Sequence, residues 1–517
     1  ELVKNNFNVL GIDPNFKICD NIKSEILKNK AMQSVLESKY ENTNDLYKVL
    51  ELFGGKEENL ISTLLRVYTY IQSFPYPFKY LKNAIEMYNE DILDLSETNF
   101  GKIIMDDAIG NLNILLKRTE NLREEIAGND EFVRHVELLD DDILILKKCL
   151  NESNKWDTFQ NELANSVFKK NLLVKVSNVE LKDKIKDYRN NVLKKEFDKI
   201  SGSMYENTQN IISDNKGAYE YLLYLYDFLL LFDKEFTKEK KKQNLLEFND
   251  IHHLALELLY KDEKVTKVAK NLQEKYEEVY TDEYQDTDFV QEYILSAVSR
   301  ENNRFMVGDI KQSIYKFRQA RPEIFNKKYE TYDNSENDVK IVLDENFRSR
   351  KNVIDSINYI FSRIMSKKMG ECLYTDVETL KYGAKWYRNY ESQDYSTEIN
   401  IIDINNKKNK EQYEENQDDT IKEIIEMQKF EKEAMYIAKR ISELKNNFKV
   451  FDSEKNEFRD ARWNDIVILT RAIKGKGSIL EKALKKFSIP AYCDTSTNLF
   501  LSDEIRQVIA FLVLCIV

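Results

Sequence analysis

The chain has 517 residues, 42% of them hydrophobic and 12% aromatic, enough apolar mass for cores in several domains. Its net charge of −12 provides no bulk attraction for nucleic acid, so any such site has to be a local basic groove. Five scattered cysteines without a C-x-x-C exclude a disulfide framework or zinc ribbon and fit a reducing cytoplasm, and no apolar run reaches the ~20 residues of a membrane span.

Residues 1–20 read as a loop with a short strand at Phe16–Cys19. From 21 to 245 apolar residues recur at spacings of three and four, which predicts a long all-helical region; only 13 Gly and 5 Pro in the whole chain agree with that. Within it, Tyr219–Phe232 is apolar nearly all round and is expected to be buried on most faces. The run Lys238–Lys242 reads as a solvated turn, with contact to a DNA backbone as the alternative. Asn249 is placed to cap a helix carrying the stripe Ile251, Leu254, Ala255, Leu258 and Leu259. His252 and His253 point to different faces of that helix and have no Cys or His nearby, which argues against a metal.

Beyond 246 the texture changes to strands alternating with helices. Candidate strands are Glu278–Thr281, Arg304–Val307, Val339–Leu343, Asp465–Thr470 and Pro490–Cys493. The alternation predicts an α/β fold with parallel sheet and crossover helices. Residues 405–420 are polar and of low complexity, a candidate disordered insertion. The chain opens on Glu1 without an initiator Met and closes inside the apolar run 508–517, so it is expected to be part of a longer protein.

Three blocks carry chemistry. The first is Val279–Thr287, where a short apolar strand ends on Asp282, Glu283, Gln285 and Asp286. Ligands of open parallel sheets bind at such strand ends. One Asp is a sensible anchor for Mg²⁺, which keeps several waters, and a neighbouring Glu is then free to activate an attacking water. Taken alone, an Asp-Glu pair is more often a solvated turn. The second block, Phe305–Arg318, runs from a strand through Gly308-Asp309 and Gln312 into aromatics interleaved with cations, Tyr315, Lys316, Phe317 and Arg318. Such interleaving suits single-stranded nucleic acid, although by itself it reads more readily as a helix with core aromatics. The third block, Val342–Arg350, delivers Asn346, Phe347 and Arg348 to a loop before a helix. An Arg offered in this way can neutralise charge on a γ-phosphate, and the Phe can cover a base; the plainer reading is a surface strand end.

In order, spacing and content the three blocks resemble motifs II, III and IV of superfamily 1 DNA helicases of the UvrD/RecB type. The likeness runs to the AddA-type helicase–nuclease branch, through Leu10–Asp20, Leu246–Ile251, Glu433–Arg440, Trp463–Arg471 and Ile489–Thr497. It covers essentially the whole chain, strongly over 246–350 and only generically over 21–245. The resemblance implies RecA-like motor domains of the P-loop NTPase type with a large helical insertion. Residues 1–20 and 246–338 would form the first motor domain, 21–245 its insertion and 339–504 the second motor domain, with 505–517 starting a further helical region.

The same resemblance implies ATP and Mg²⁺ as cofactors, with Asp282 holding magnesium and Asp282, Gln285, Asp286 and Phe347 around ATP. Glu283 would activate water, Gln312 would sense the γ-phosphate and Arg348 would be the arginine finger. Phe347 would stack on adenine, while Tyr315, Phe317 and Arg318 would grip single-stranded DNA. Partners would be single-stranded and duplex-end DNA and an AddB-type subunit.

One element of the family pattern is missing: no G-x-x-x-x-G-K-[ST] loop occurs in the 517 residues. Gly475-Lys-Gly-Ser478 lacks the first glycine at the required spacing and follows the wrong strand. The expectation is therefore that the phosphate loop lies upstream, that the last motor motifs and a nuclease domain with an iron–sulfur cluster lie downstream, and that this stretch alone hydrolyses no ATP. Two alternatives stay open: a UvrD-like repair helicase without a nuclease, and a catalytically dead helicase-like scaffold.

Overall fold

The computed structural model describes residues 1–40, 45–172, 175–332, 336–370, 372–391, 393–402, 419–473, 475–493, 505 and 508. Most of the predicted insertion at 405–420, and nearly all of the terminal run 508–517, lies outside them. The chain divides into two compact units, Glu1–Lys328 and Tyr329–Val517.

The first unit begins with two helical turns, Leu2–Asn5 and Phe7–Leu10, where a loop was expected. Leu2 packs against Leu259, Ala269 and Ala297, and that apolar contact is what orders the start of the chain. The strand Lys17–Ile18 then pairs in parallel with Leu245–Leu246. Backbone bonds from Lys17 N to Asn244 O (3.0 Å) and from Cys19 N to Leu246 O (2.9 Å) clamp the pair. The chain thus leaves for the helical region at one strand and returns at its neighbour.

That region carries helices from Asn21–Tyr40 to the 35-residue Thr208–Lys242. Its buried apolar residues fall into separate groups. One joins Leu27, Met32, Leu60 and Tyr68 to Phe228, Phe232 and Phe236, and others, centred on Leu112, Trp156 and Phe197 and on Leu122, Phe132 and Ile185, lie within 95–204. Arg189 and Asp142 form an ion pair at 2.6 Å with both side chains 0% exposed, and Arg189 also donates to Asn171 Oδ1 and Lys169 O.

Three local expectations are corrected here. Within Tyr219–Phe232, Phe228, Leu229 and Phe232 are buried, but Leu230 and Leu231 are 38% and 39% exposed, because the helix packs through one face only. The run Lys238–Lys242 is the last part of that helix rather than a solvated turn. Its Lys240 is 2% exposed and ion-paired to Asp250 at 2.6 Å, so it is committed to the protein. Asn249 lies inside the helix Phe248–Leu259. The cap is Glu247, whose backbone N–H donates to the Asp250 carboxylate at 2.7 Å. On the same helix His253 Nε2 lies 3.0 Å from Gln72 O.

Strands Val279–Thr281 and Arg304–Met306 pair in parallel, Val279 opposite Arg304, with the helix Phe289–Val298 as the crossover. In the second unit Glu345–Asn346 pairs in parallel with Lys381–Tyr382, and Lys449–Asp452 pairs antiparallel with Glu457–Asp460. The long helix Asp419–Asn447 packs on Gly477–Lys486 through Ala434, Ala438, Leu480 and Leu484.

Mixed helix and parallel pairing fit the α/β expectation, yet among the described residues each ladder has two strands only. Val339–Leu343 forms no ladder, and its Val339, Ile341 and Leu343 are 77%, 69% and 83% exposed. Residues 466–470 and 490–493 likewise run without pairing. Alternating apolar residues make a segment fit for a strand, but a strand needs a hydrogen-bonded partner, and among the described residues these form no ladder. No helix among the described residues is long and apolar enough to cross a membrane.

Candidate functional site

The strand Val279–Thr281 ends where its ladder turns over into a loop: Val307 N donates to Thr281 O (2.8 Å) and Tyr284 N to Val307 O (2.9 Å). These two bonds leave Asp282 and Glu283 as the projecting residues, and both are exposed. Glu283 is left-handed, with φ +49° and ψ +43°, a conformation uncommon for a residue other than glycine and one that costs backbone strain. Its N–H donates to Asp282 Oδ1 at 2.9 Å.

Gln285 fixes the other side. It is 1% exposed; its Nε2 donates to Glu283 Oε2 at 2.6 Å and its Oε1 accepts from Asp309 N at 3.1 Å. A Cβ on Gly308 would meet Gln285 Oε1 at 2.5 Å and Tyr284 N at 3.2 Å, so a glycine is needed for the second block to close on the first. Beneath the loop, Tyr284 is fully buried and donates to Glu292 Oε2 at 2.6 Å. Arg304 forks onto the same carboxylate at 3.0 and 2.8 Å. Burial and the Glu292 carboxylate push the Tyr284 hydroxyl far above its ordinary range, so it stays a donor.

Asp309 organises the second block. It accepts from Lys311 N (3.0 Å) and from Gln312 Nε2 (3.0 Å), and its carbonyl takes Gln312 N (2.9 Å). Gln312 is exposed. The turn Lys316–Arg318 follows, with Phe317 74% exposed and the Arg318 guanidinium 5.3 Å from the Tyr315 ring and 5.7 Å from that of Phe317. These aromatics are surface groups, not the core of a helix.

A hydrated Mg²⁺ fits this loop chemically. Asp282 presents an exposed carboxylate, while Thr281 Oγ1 and Asp286 Oδ1 are buried with no hydrogen-bond partner among the described residues. Such orphaned oxygens are what the water shell of a magnesium ion would satisfy. Burial and the nearby Glu283 raise the Asp286 carboxyl above the usual range.

Asp282, Glu283, Gln285, Asp286 and Gln312 are therefore gathered on adjoining loops of the first unit, with Tyr315, Phe317 and Arg318 in the following turn. Phe347 and Arg348 belong to the second unit. There Asn346 Oδ1 accepts from Arg348 N (3.0 Å) and Ser349 N (2.8 Å), a turn that leaves both Phe347 and Arg348 exposed. Tyr387 Oη donates to Arg348 O at 2.9 Å. The Phe347 ring lies within 13° of parallel to Trp386, 6.2 Å away, and reaches it over Gly383, where a Cβ would sit 2.6 Å from the ring.

Motif spacing did not disclose the Gln285 clamp, the Tyr284–Glu292–Arg304 support or Trp386. Only Gly308, a glycine at a strand end beside an acid, gave a signal that two backbones approach closely.

Residues 1–333 match the UvrD/REP helicase N-terminal domain, and residues 341–516 match the UvrD-like helicase C-terminal domain. The chain belongs to the UvrD/REP helicase family. Its UvrD-type relatives include proteins whose names give them as the A component of an ATP-dependent helicase/nuclease. That of Clostridium acetobutylicum is 33% identical over 99% of this chain, that of Clostridium beijerinckii 34% over 99%, and that of Thermoanaerobacter sp. 34% over 99%. The chain spans 43%, 43% and 44% of the lengths of these UvrD-type relatives.

Proposed function

We propose that this chain forms the central motor segment of an ATP-dependent DNA helicase–nuclease that moves along single-stranded DNA and unwinds duplex ends for double-strand-break repair, paired with an AddB-type subunit. The observation that carries the reading is the clamp on Glu283: a buried amide orients its carboxylate at 2.6 Å and is itself held by the strand end of the next motif. A scaffold without catalysis has no use for a strained, oriented acid.

In this reading Asp282 holds Mg²⁺, which would neutralise charge on the β- and γ-phosphates of ATP. Glu283 orients the attacking water and accepts its proton. Gln285 and Asp286 complete the nucleotide loop, and Gln312, on the Asp309 turn, senses the γ-phosphate. Arg348 meets the charge developing on the transferred group, while Phe347 stacks on the base. Tyr315, Phe317 and Arg318 stack on and neutralise a single strand, each aromatic contributing ~1–3 kcal/mol. The domain plan goes with it: 1–20 and 246–338 as the first motor domain, 21–245 as its insertion, 339–504 as the second motor domain and 505–517 as the start of a helical region. The names of the relatives support the nuclease in the whole protein over a UvrD-like helicase without one.

Because residues 1–517 contain no phosphate-binding loop, this stretch by itself is expected to be silent as an ATPase. The test is steady-state ATP hydrolysis with single-stranded DNA and Mg²⁺, using the full-length protein and the isolated stretch. Hydrolysis by the full-length protein, abolished by Glu283→Gln, is the expected result. Unchanged hydrolysis in that variant, or DNA-stimulated turnover by the isolated stretch, overturns the assignment.

A further inference from the structure

Arg321 sits three residues beyond the Lys316–Arg318 turn and joins three separate parts of the first unit. By its backbone it is tied to the acidic loop, since its N–H donates to Thr287 O at 2.9 Å. Bonds from Arg318 N (2.8 Å) and Ala320 N (3.3 Å) to Tyr315 O close the aromatic turn immediately before it. Its side chain goes a third way, into the helical region. The guanidinium lies 5.5 Å from the Tyr70 ring, 5.1 Å from Phe74 and 5.2 Å from Phe289, and Nη2 donates to Tyr70 Oη at 3.2 Å. Phe74 is stacked on Tyr80 at 3.6 Å and leans on Phe289 at 5.5 Å.

This is an expensive way to fill a space. The side chain is 17% exposed; Nη1 pairs with the exposed Glu323 carboxylate at 3.5 Å, but Nε is buried with no hydrogen-bond partner among the described residues. An unpaired buried N–H is a cost that an apolar residue of similar length would avoid. What Arg supplies and Met would not is direction: a planar cation held over the rings and hydrogen-bonded to one of them. Moving the 70–80 segment therefore pulls on Arg321, and through Thr287 O on the loop that carries Asp282 and Glu283.

We propose that Arg321 is a positioning residue that couples the helical insertion and the Tyr315–Arg318 turn to the Asp282–Thr287 loop, so that a bound single strand adjusts the setting of Glu283. This rests on the motor reading above for its consequence in catalysis, but the coupling itself is a property of the fold.

The full-length protein, wild type and Arg321→Met, is compared by two readouts, with an oligo-dT strand as the probe. In ATP hydrolysis, Arg321→Met should leave DNA-independent turnover unchanged and cut the stimulation by oligo-dT about 5- to 150-fold, the usual span of site-to-site coupling. Tyr70→Phe, which removes the hydroxyl that accepts from Arg321 and is also hydrogen-bonded to Tyr80 but keeps the ring, should fall between. In hydrogen exchange, oligo-dT should protect both 70–80 and 279–287 in the wild type and lose its effect on 279–287 in Arg321→Met. Full stimulation and retained protection in Arg321→Met would make Arg321 simple packing and overturn the proposal, as would a wild-type 279–287 segment indifferent to oligo-dT. If Glu283→Gln leaves hydrolysis intact, the motor assignment fails, and the exchange data still decide for or against Arg321.

Discussion

Gln285 holds Glu283 with one end of its amide and Asp309 with the other, at 2.6 and 3.1 Å. The setting of the acid thus depends on where the neighbouring strand ends. Gln285→Ala should lower turnover of the full-length protein by ~10²-fold, the lower end of what a positioned acid–base group contributes, with a smaller change in KM for ATP. Gln285→Glu, which puts a second carboxylate beside Glu283 in place of the amide donor, should lower turnover at least as far. Wild-type turnover in either variant would remove Gln285 from that role.

Gly308→Ala tests whether close approach of the two motifs matters. The added methyl meets the hydrogen-bonded amide oxygen of buried Gln285 at 2.5 Å, the Phe325 ring at 3.0 Å and a backbone nitrogen at 3.2 Å, so relief requires a shift of the clamp itself. Overpacking of this kind costs ~1–3 kcal/mol, and a lower melting temperature together with reduced turnover is expected. Loss of turnover without loss of stability would mean that the loop, not the fold, absorbs the strain.

Arg348→Ala should separate chemistry from stability. Arg348 is exposed, so the melting temperature should stay that of the wild type, while turnover falls by ~10³–10⁵ if the side chain meets the transferred phosphoryl group. Arg348→Lys should rescue little, because an ammonium lacks the planar fork. Normal turnover in Arg348→Ala would reassign the finger.

Arg189→Met should be costly although it lies far along the chain from every proposed catalytic residue. It strands Asp142 at 0% exposure, and breaking one half of a buried pair costs ~3–5 kcal/mol. Replacing both residues by apolar ones of similar size should recover most of that loss. Chemical denaturation of the two variants distinguishes these outcomes.

Much of the proposed site was readable without coordinates, for a physical reason. Asp282, Glu283, Gln312, Phe347 and Arg348, the residues proposed for chemistry, lie at strand ends and in loops and are exposed, so core packing does not dictate their types. Long helices were legible through their periodicity. Periodicity also misled: the apolar run around Leu230 and Leu231 reads as buried, but burial depends on what packs against a face, which the run does not contain. Lys240 failed for the same reason, since its partner Asp250 sits beyond a chain reversal.

What the sequence by itself determined was the chemical inventory: an acid pair after a strand, a glycine–acid–glutamine turn, an aromatic–cation run and an arginine in a loop before a helix. Tertiary structure decided how that inventory is held. It folded Gln285 onto both Glu283 and Asp309, set Glu283 in a left-handed backbone, and carried Arg321 from the aromatic turn into the rings of a helical region far earlier in the chain, its partner Tyr70 lying 251 positions away. Such contacts join residues remote in sequence. Their energies come from burial and directed hydrogen bonds that exist only once the elements are packed, so no local pattern can announce them.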